Sequence, residues 1–209
     1  GQVPFPTDIL KYQLGTRHTD YLHQEEVFQT YLKLAPDRIQ RISYGQSTEG
    51  RPLRFYAISS PENISRLEEL RKQSYEFARN PQNRPKDLPV FVWINQCIHG
   101  DETASFESSM ALAHRLLVGD PELDDTLKNV VVLLNPVYNP DGHERYITAY
   151  NSIPNGNPEA GSYDRAIPPA FMGRRNHYRF DLNRDRVAMS QVETRREVHA
   201  FLRWMPQVY

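Results

Sequence analysis

Two short, almost uninterrupted apolar runs decide what this chain can fold into. Pro89–Gln96 and Asn129–Asn135 are built mainly from Val, Leu, Ile, Phe and Trp, without the alternation of a half-exposed strand. Such runs are expected of strands covered on both faces, so the chain needs helices above and below a sheet. Both are far too short to span a bilayer.

The flanking segments supply those helices. Thr19 or Asp20 can cap a helix running to about Leu34, with Val27, Tyr31 and Leu34 at helical spacing and Pro36 as its stop. Arg38–Tyr44 and Leu53–Ser59 read as strands around a turn at Gly45–Pro52. Pro61 opens a helix through about Arg79, and a polar loop, Asn80–Pro89, follows. A further helix is expected from Glu102 to Val118, and a last one from about Gln191 to Trp204, stopped by Pro206. Val208-Tyr209 opens another strand. Residues 138–180 lack periodicity and carry five prolines, so they read as a long loop of functional character. The expectation is an α/β fold: a three-layer arrangement of a mixed β-sheet with helices on both faces. An irregular arm, 1–20, precedes a domain spanning 21–209.

Composition narrows the function. Lys and Arg total 25 against 26 Asp and Glu, with no basic run to grip nucleic acid. No membrane partner is expected. The single cysteine, Cys97, excludes an internal disulfide framework and reads as a small buried residue at a strand end.

His99-Gly100-Asp101-Glu102 falls between a buried strand and a helix, where open α/β sheets place their ligands. An imidazole and a carboxylate three positions apart can turn toward one point, and such donors suit zinc, whose catalytic sites take three protein ligands plus water. In isolation the same residues also read as a helix start with acids at the positive end of the dipole. Asn135-Pro136-Val137-Tyr138-Asn139-Pro140-Asp141-Gly142 follows the next buried strand and has turn composition. Farther on stand Gly173-Arg174-Arg175-Asn176 and Asp181-Leu182-Asn183-Arg184. Guanidinium groups grip carboxylates in two-pronged fashion and stabilise oxyanions; alone, either motif reads equally as a solvated basic surface.

Taken in order, His-Gly-Asp-Glu, Asn-Pro-Asp-Gly, Arg-Arg-Asn and Asp-Leu-Asn-Arg resemble the zinc metallocarboxypeptidase family (carboxypeptidase A-like). Ser47-Thr48-Glu49-Gly50-Arg51-Pro52-Leu53 resembles the turn before its metal motif, and the likeness runs from about Tyr21 to the end. The resemblance implies one Zn2+ held by His99 and Glu102. It implies that Asn183 and Arg184 bind the substrate's terminal carboxylate and that Arg174, or Arg175 if the register slips by one, stabilises the oxyanion. Asp181 is expected to orient its neighbours. Asp141 and Gly142 are expected to support the fold.

In the family the third zinc-binding histidine, the general-base glutamate and a substrate-capping tyrosine lie past the point matched by Tyr209. The chain is therefore expected to be the front part of a catalytic domain, truncated before the last strands and inactive alone. His18, His23, His114, His143, His177 and His199 do not match the missing ligand. The implied substrate is a peptide with a free C-terminus. Asp101 resembles bacterial members, some of which cut cell-wall peptides. Self-association through the cut sheet edge is a further expectation. So is a secreted or periplasmic location, with Gly1-Gln2 read as a processed start. Two other functions compete: a non-catalytic peptide- or partner-binding module on the same fold, and a zinc amidohydrolase of the aspartoacylase type.

Overall fold

The computed structural model describes residues 3–83, 85–152 and 171–209. In chain order the elements are α1 (Pro6–Leu10), α2 (Tyr21–Leu34), β1 (Ile39–Gln46), β2 (Pro52–Ile58), α3 (Pro61–Ser65), α4 (Leu67–Arg79), β3 (Val90–Asn95), α5 (Thr103–Leu117), α6 (Pro121–Leu127), β4 (Val130–Asn135), α7 (Pro140–Asn151) and α8 (Val192–Trp204), with a 3-10 turn at Leu182–Arg184. The sheet is open and mixed, in the order β1-β2-β4-β3. β1–β2 and β2–β4 are antiparallel, whereas β3–β4 is parallel.

Each strand face feeds a separate core, as the apolar runs require. Tyr56, Ile58, Val132 and Leu134 pack with Val27, Phe28 and Tyr31 of α2 and Met110 and Ala113 of α5. Phe55, Ala57, Phe91, Trp93, Val131 and Leu133 face the other way, onto Leu67 and Leu70 of α4 and Ala200 and Trp204 of α8. Asp20 caps α2, its carboxylate accepting the His23 amide hydrogen at 2.8 Å. Val208 forms a parallel bridge to Val92 beside β3.

Several segments differ from the sequence reading. Residues 3–20 are not an irregular surface arm: they contain α1 and bury Val3 and Leu10 in the α2–α5 core. Glu107 of α5 holds this segment in place, accepting from the Thr19 amide at 2.7 Å and its hydroxyl at 2.8 Å. The helix expected from Pro61 to Arg79 is broken at Arg66, which adopts a non-helical conformation between α3 and α4. The expected loop from 138 begins with a helix instead. Asn139 accepts from the Gly142 amide at 3.0 Å and Pro140 sits in the first turn, so the Asn-Pro-Asp-Gly motif is the cap of α7. The remaining prolines of that expected loop, within 153–170, lie outside the described residues.

Three glycines from three motifs meet where the strand ends converge. The Gly100 amide donates to the Gly173 carbonyl at 3.0 Å. A Cβ on Gly100 would lie 2.1 Å from the His143 nitrogen, and one on Gly142 would lie 2.3 Å from the Gly173 carbonyl oxygen. These obstacles are backbone atoms and cannot swing aside. Gly142→Ala is therefore expected to destabilise the fold by roughly 3 kcal/mol or more. An unchanged urea midpoint would contradict the contact.

His143 seals this junction. It is fully buried, stacks on Phe106 with ring centroids 3.8 Å apart, and places its ring nitrogens 2.9 Å from the Gly100 and Thr19 carbonyl oxygens. Burial pushes its pKa down to about 4, although both carbonyls favour the protonated ring. The unfolded chain takes up this proton below about 6.5, while the folded chain resists until about 4. Stability contributed by the neutral ring is full above pH 6.5 and lost as pH falls through 4, by up to about 3 kcal/mol. Denaturation across this pH window should show a steep acid loss that flattens in His143→Gln.

Candidate metal centre and carboxylate grip

The loop that leaves β3 turns sharply at Cys97, whose φ of 54° lies in the left-handed region. The Ser105 hydroxyl accepts the Cys97 amide hydrogen at 3.0 Å and ties the bend to α5. His99 follows, 7% exposed, and Glu102 takes the capping position of α5 without capping it through its side chain. Their side chains converge: His99 Nδ1 lies 2.8 Å from Glu102 Oε1, and the His99 amide donates to Oε2 at 3.2 Å. One imidazole nitrogen and one carboxylate oxygen thus face a common point, a pair whose chemistry fits part of a zinc centre. Among the described residues no group of three or more His, Cys, Asp or Glu could hold a metal ion.

The second ring nitrogen of His99 is also engaged. Nε2 sits 3.2 Å from Asp181 Oδ1, an atom that also accepts the Asn183 amide hydrogen at 3.0 Å. Asp181 Oδ2 accepts from Arg174 Nε at 3.1 Å and lies 2.9 Å from its Nη2. One carboxylate therefore joins the His99 ring, the Arg174 guanidinium and the amide that starts the 3-10 turn. Burial alone would raise the Asp181 pKa, but Arg174, the Asn183 amide and His99 outweigh it and hold the group below the ordinary carboxylate range.

Asn183 and Arg184 stand exposed on that turn. Buried Leu182 anchors it, and Arg184 Nη1 donates to the Asn183 carbonyl at 3.1 Å. Of the two adjacent arginines, it is Arg174 that bonds Asp181. Asn176 is fully buried and donates to Gln191 at 2.8 Å and Glu193 at 3.2 Å, fixing the start of α8. Three of the set-aside histidines have other partners: His23 lies 2.7 Å from Asp20, His177 lies 2.9 Å from Glu49, and His143 faces backbone carbonyls.

Asp141 explains the Ser47–Arg51 turn. Only 1% exposed, it accepts from the Ser47 hydroxyl at 2.7 Å, the Glu49 amide at 3.0 Å and Arg51 Nη1 at 2.8 Å. The sequence reading gave Asp141 a supporting role without its partners. It also left open how far Asp181 reaches, because the link to His99 spans 82 positions and no local pattern encodes it.

Comparisons with known proteins bear on the family and the fold. The family model described as "Zinc carboxypeptidase" matches residues 25–200. Carboxypeptidase D of Homo sapiens is 30% identical over 166 residues, covering 73% of this chain and 11% of that protein. Carboxypeptidase 2 of Trichophyton tonsurans is 24% identical over 147 residues, covering 68% and 22%. Among solved structures, the carboxypeptidase A of Helicoverpa armigera superposes with a TM-score of 0.60 at 16% identity, over 94% of this chain and 48% of that one. A metallo-carboxypeptidase of Burkholderia cenocepacia gives 0.54 at 18% identity, over 88% and 38%. At these identities the superpositions establish the fold, which is that of the carboxypeptidases. The chain spans less than half the length of each of these four proteins. By the extent and order of the match, it belongs to the zinc carboxypeptidase family.

Proposed function

We propose that this chain carries the zinc-binding pair and the carboxylate grip of a peptidase that hydrolyses the C-terminal bond of peptides. The observation that carries the reading is the single Asp181 carboxylate joining His99, Arg174 and the Asn183–Arg184 turn. Metal donor, oxyanion donor and terminal-carboxylate donors would then be held in one frame.

His99 Nδ1 and Glu102 are the residues that would hold zinc. When bound, zinc supplies a Lewis acid for the scissile carbonyl and makes a water acidic enough to ionise near neutral pH. Asp181 accepts the Nε2 proton of His99, which fixes the tautomer with the Nδ1 lone pair available to a metal. Arg174, half-exposed and steadied by Asp181, donates to negative charge developing on the carbonyl oxygen. Arg184 and Asn183, exposed on the same turn, bind the free carboxylate, which restricts cleavage to the last residue of a peptide.

With His99 and Glu102 as the donors found among the described residues, the 209-residue chain is expected to hold zinc weakly. Competition with a chelator should show Glu102→Gln and Asp181→Asn each lowering zinc affinity about 10-fold or more. Unchanged affinity in Glu102→Gln would remove the metal assignment. Wherever turnover of a blocked peptide is measurable, Arg174→Ala should lower kcat roughly 10²–10³-fold. An unaltered kcat would take Arg174 out of the chemistry.

A further inference from the structure

The turn bearing Asn183 and Arg184 is tied at its start by Asp181, and a second tie lies just past its end. Arg186 reaches from this segment to α8, its Nη2 lying 3.3 Å from Glu197 Oε1, with the Glu197 side chain wholly buried. The guanidinium carbon also sits 5.1 Å from the Tyr209 ring centroid and 5.9 Å from that of Tyr138, and the group hydrogen-bonds the Tyr209 hydroxyl. Glu197 is secured from the sheet in turn: Asn95 Nδ2 donates to the same Oε1 at 3.1 Å, and Asn135 Nδ2 donates to Asn95 Oδ1 at 2.7 Å. A continuous line of polar contacts thus runs from the ends of β3 and β4 through α8 to Arg186.

This arrangement is a poor way to gain stability. A wholly buried carboxylate is costly to desolvate, and Glu197 Oε2 finds no hydrogen-bond partner among the described residues. An apolar pair of similar volume would fill the same space at lower cost. What the contact adds is position: one guanidinium nitrogen of Arg186 reaches both Glu197 Oε1 and the Tyr209 hydroxyl, beside the two tyrosine rings.

We propose that Arg186 and Glu197 form a positioning pair that fixes where the Asn183–Arg184 turn presents its donors to a peptide's terminal carboxylate. The inference rests on the carboxylate-binding reading of Asn183 and Arg184 proposed above. Asp181 sets the near end of the turn relative to His99; Arg186 sets the far end relative to the sheet. Neither Arg186 nor Glu197 touches substrate in this scheme.

The test measures recognition without turnover. The full 209-residue chain, free of metal, is titrated by NMR with N-benzoyl-glycyl-phenylalanine and with its C-terminal amide. The wild-type chain should prefer the carboxylate form. Arg186→Met/Glu197→Leu, which leaves no charge stranded, should still unfold cooperatively yet lose that preference by about tenfold, the advantage of a well-placed charge-assisted hydrogen bond. A folded double variant with undiminished preference would overturn the positioning role while leaving the carboxylate grip intact. Should the double variant fail to fold, Glu197→Gln decides: it keeps the shape and removes the charge, so a reduced preference supports the proposal and an unchanged one overturns it. A wild-type chain indifferent to carboxylate or amide would instead defeat the reading of Asn183 and Arg184, and this inference with it.

Discussion

Backbone-to-backbone contact among Gly100, Gly142 and Gly173 is the constraint on which the rest of this molecule turns. Each belongs to a different motif, and each motif leaves a different part of the chain. Where main chains touch without side chains between them, the flanking residues inherit fixed positions. His99 and Glu102 straddle the first glycine, the cap of α7 holds the second, and Arg174 follows the third. The buried strands β3 and β4 bring these loops to the same edge of the sheet, and the glycines bring them into contact.

Within that frame, charge is shared economically. Asp181 satisfies an imidazole, a guanidinium and a backbone amide with two oxygen atoms. The guanidinium helps hold the carboxylate pKa low, Oδ1 lies against the His99 ring, and the amide contact starts the turn bearing Asn183 and Arg184. On the far side of that turn Arg186 meets Glu197 in the interior. Asp141 repeats the pattern in the first turn of α7, gathering the Ser47–Arg51 turn from 90 or more positions away. Single acids, Asp141 buried and Asp181 partly so, thus fasten segments far apart in the chain.

How much of this was readable beforehand follows from the range of each interaction. Strands β3 and β4 and helix α2 were visible because burial on both faces, or on one helical stripe, leaves a local pattern. The break at Arg66 and the polar helix α6, in which Leu127 alone is buried, leave little such trace. Val3 and Leu10 are single apolar residues in an irregular stretch, so their burial depends on neighbours far along the chain. Asn139-Pro140 has a turn's composition because a helix cap and a turn use the same chemistry. At the candidate site, His99, Glu102, Arg174, Asn183 and Arg184 stand out in the sequence as members of ordered motifs. The bond from Asp181 to His99 does not, since a contact between distant loops is a property of the folded sheet.

The bend at Cys97 has a consequence for handling this protein. Its thiol is 1% exposed and donates to the His99 carbonyl at 3.3 Å. Burial, reinforced by the nearby charges of Glu102 and Asp101, pushes its pKa well above the ordinary thiol value. Thiolate, the form that attacks electrophiles and ligates soft metals, is therefore scarce. Enclosed beneath the bend, this sulfur atom two residues from His99 is shielded from reagents in bulk solvent.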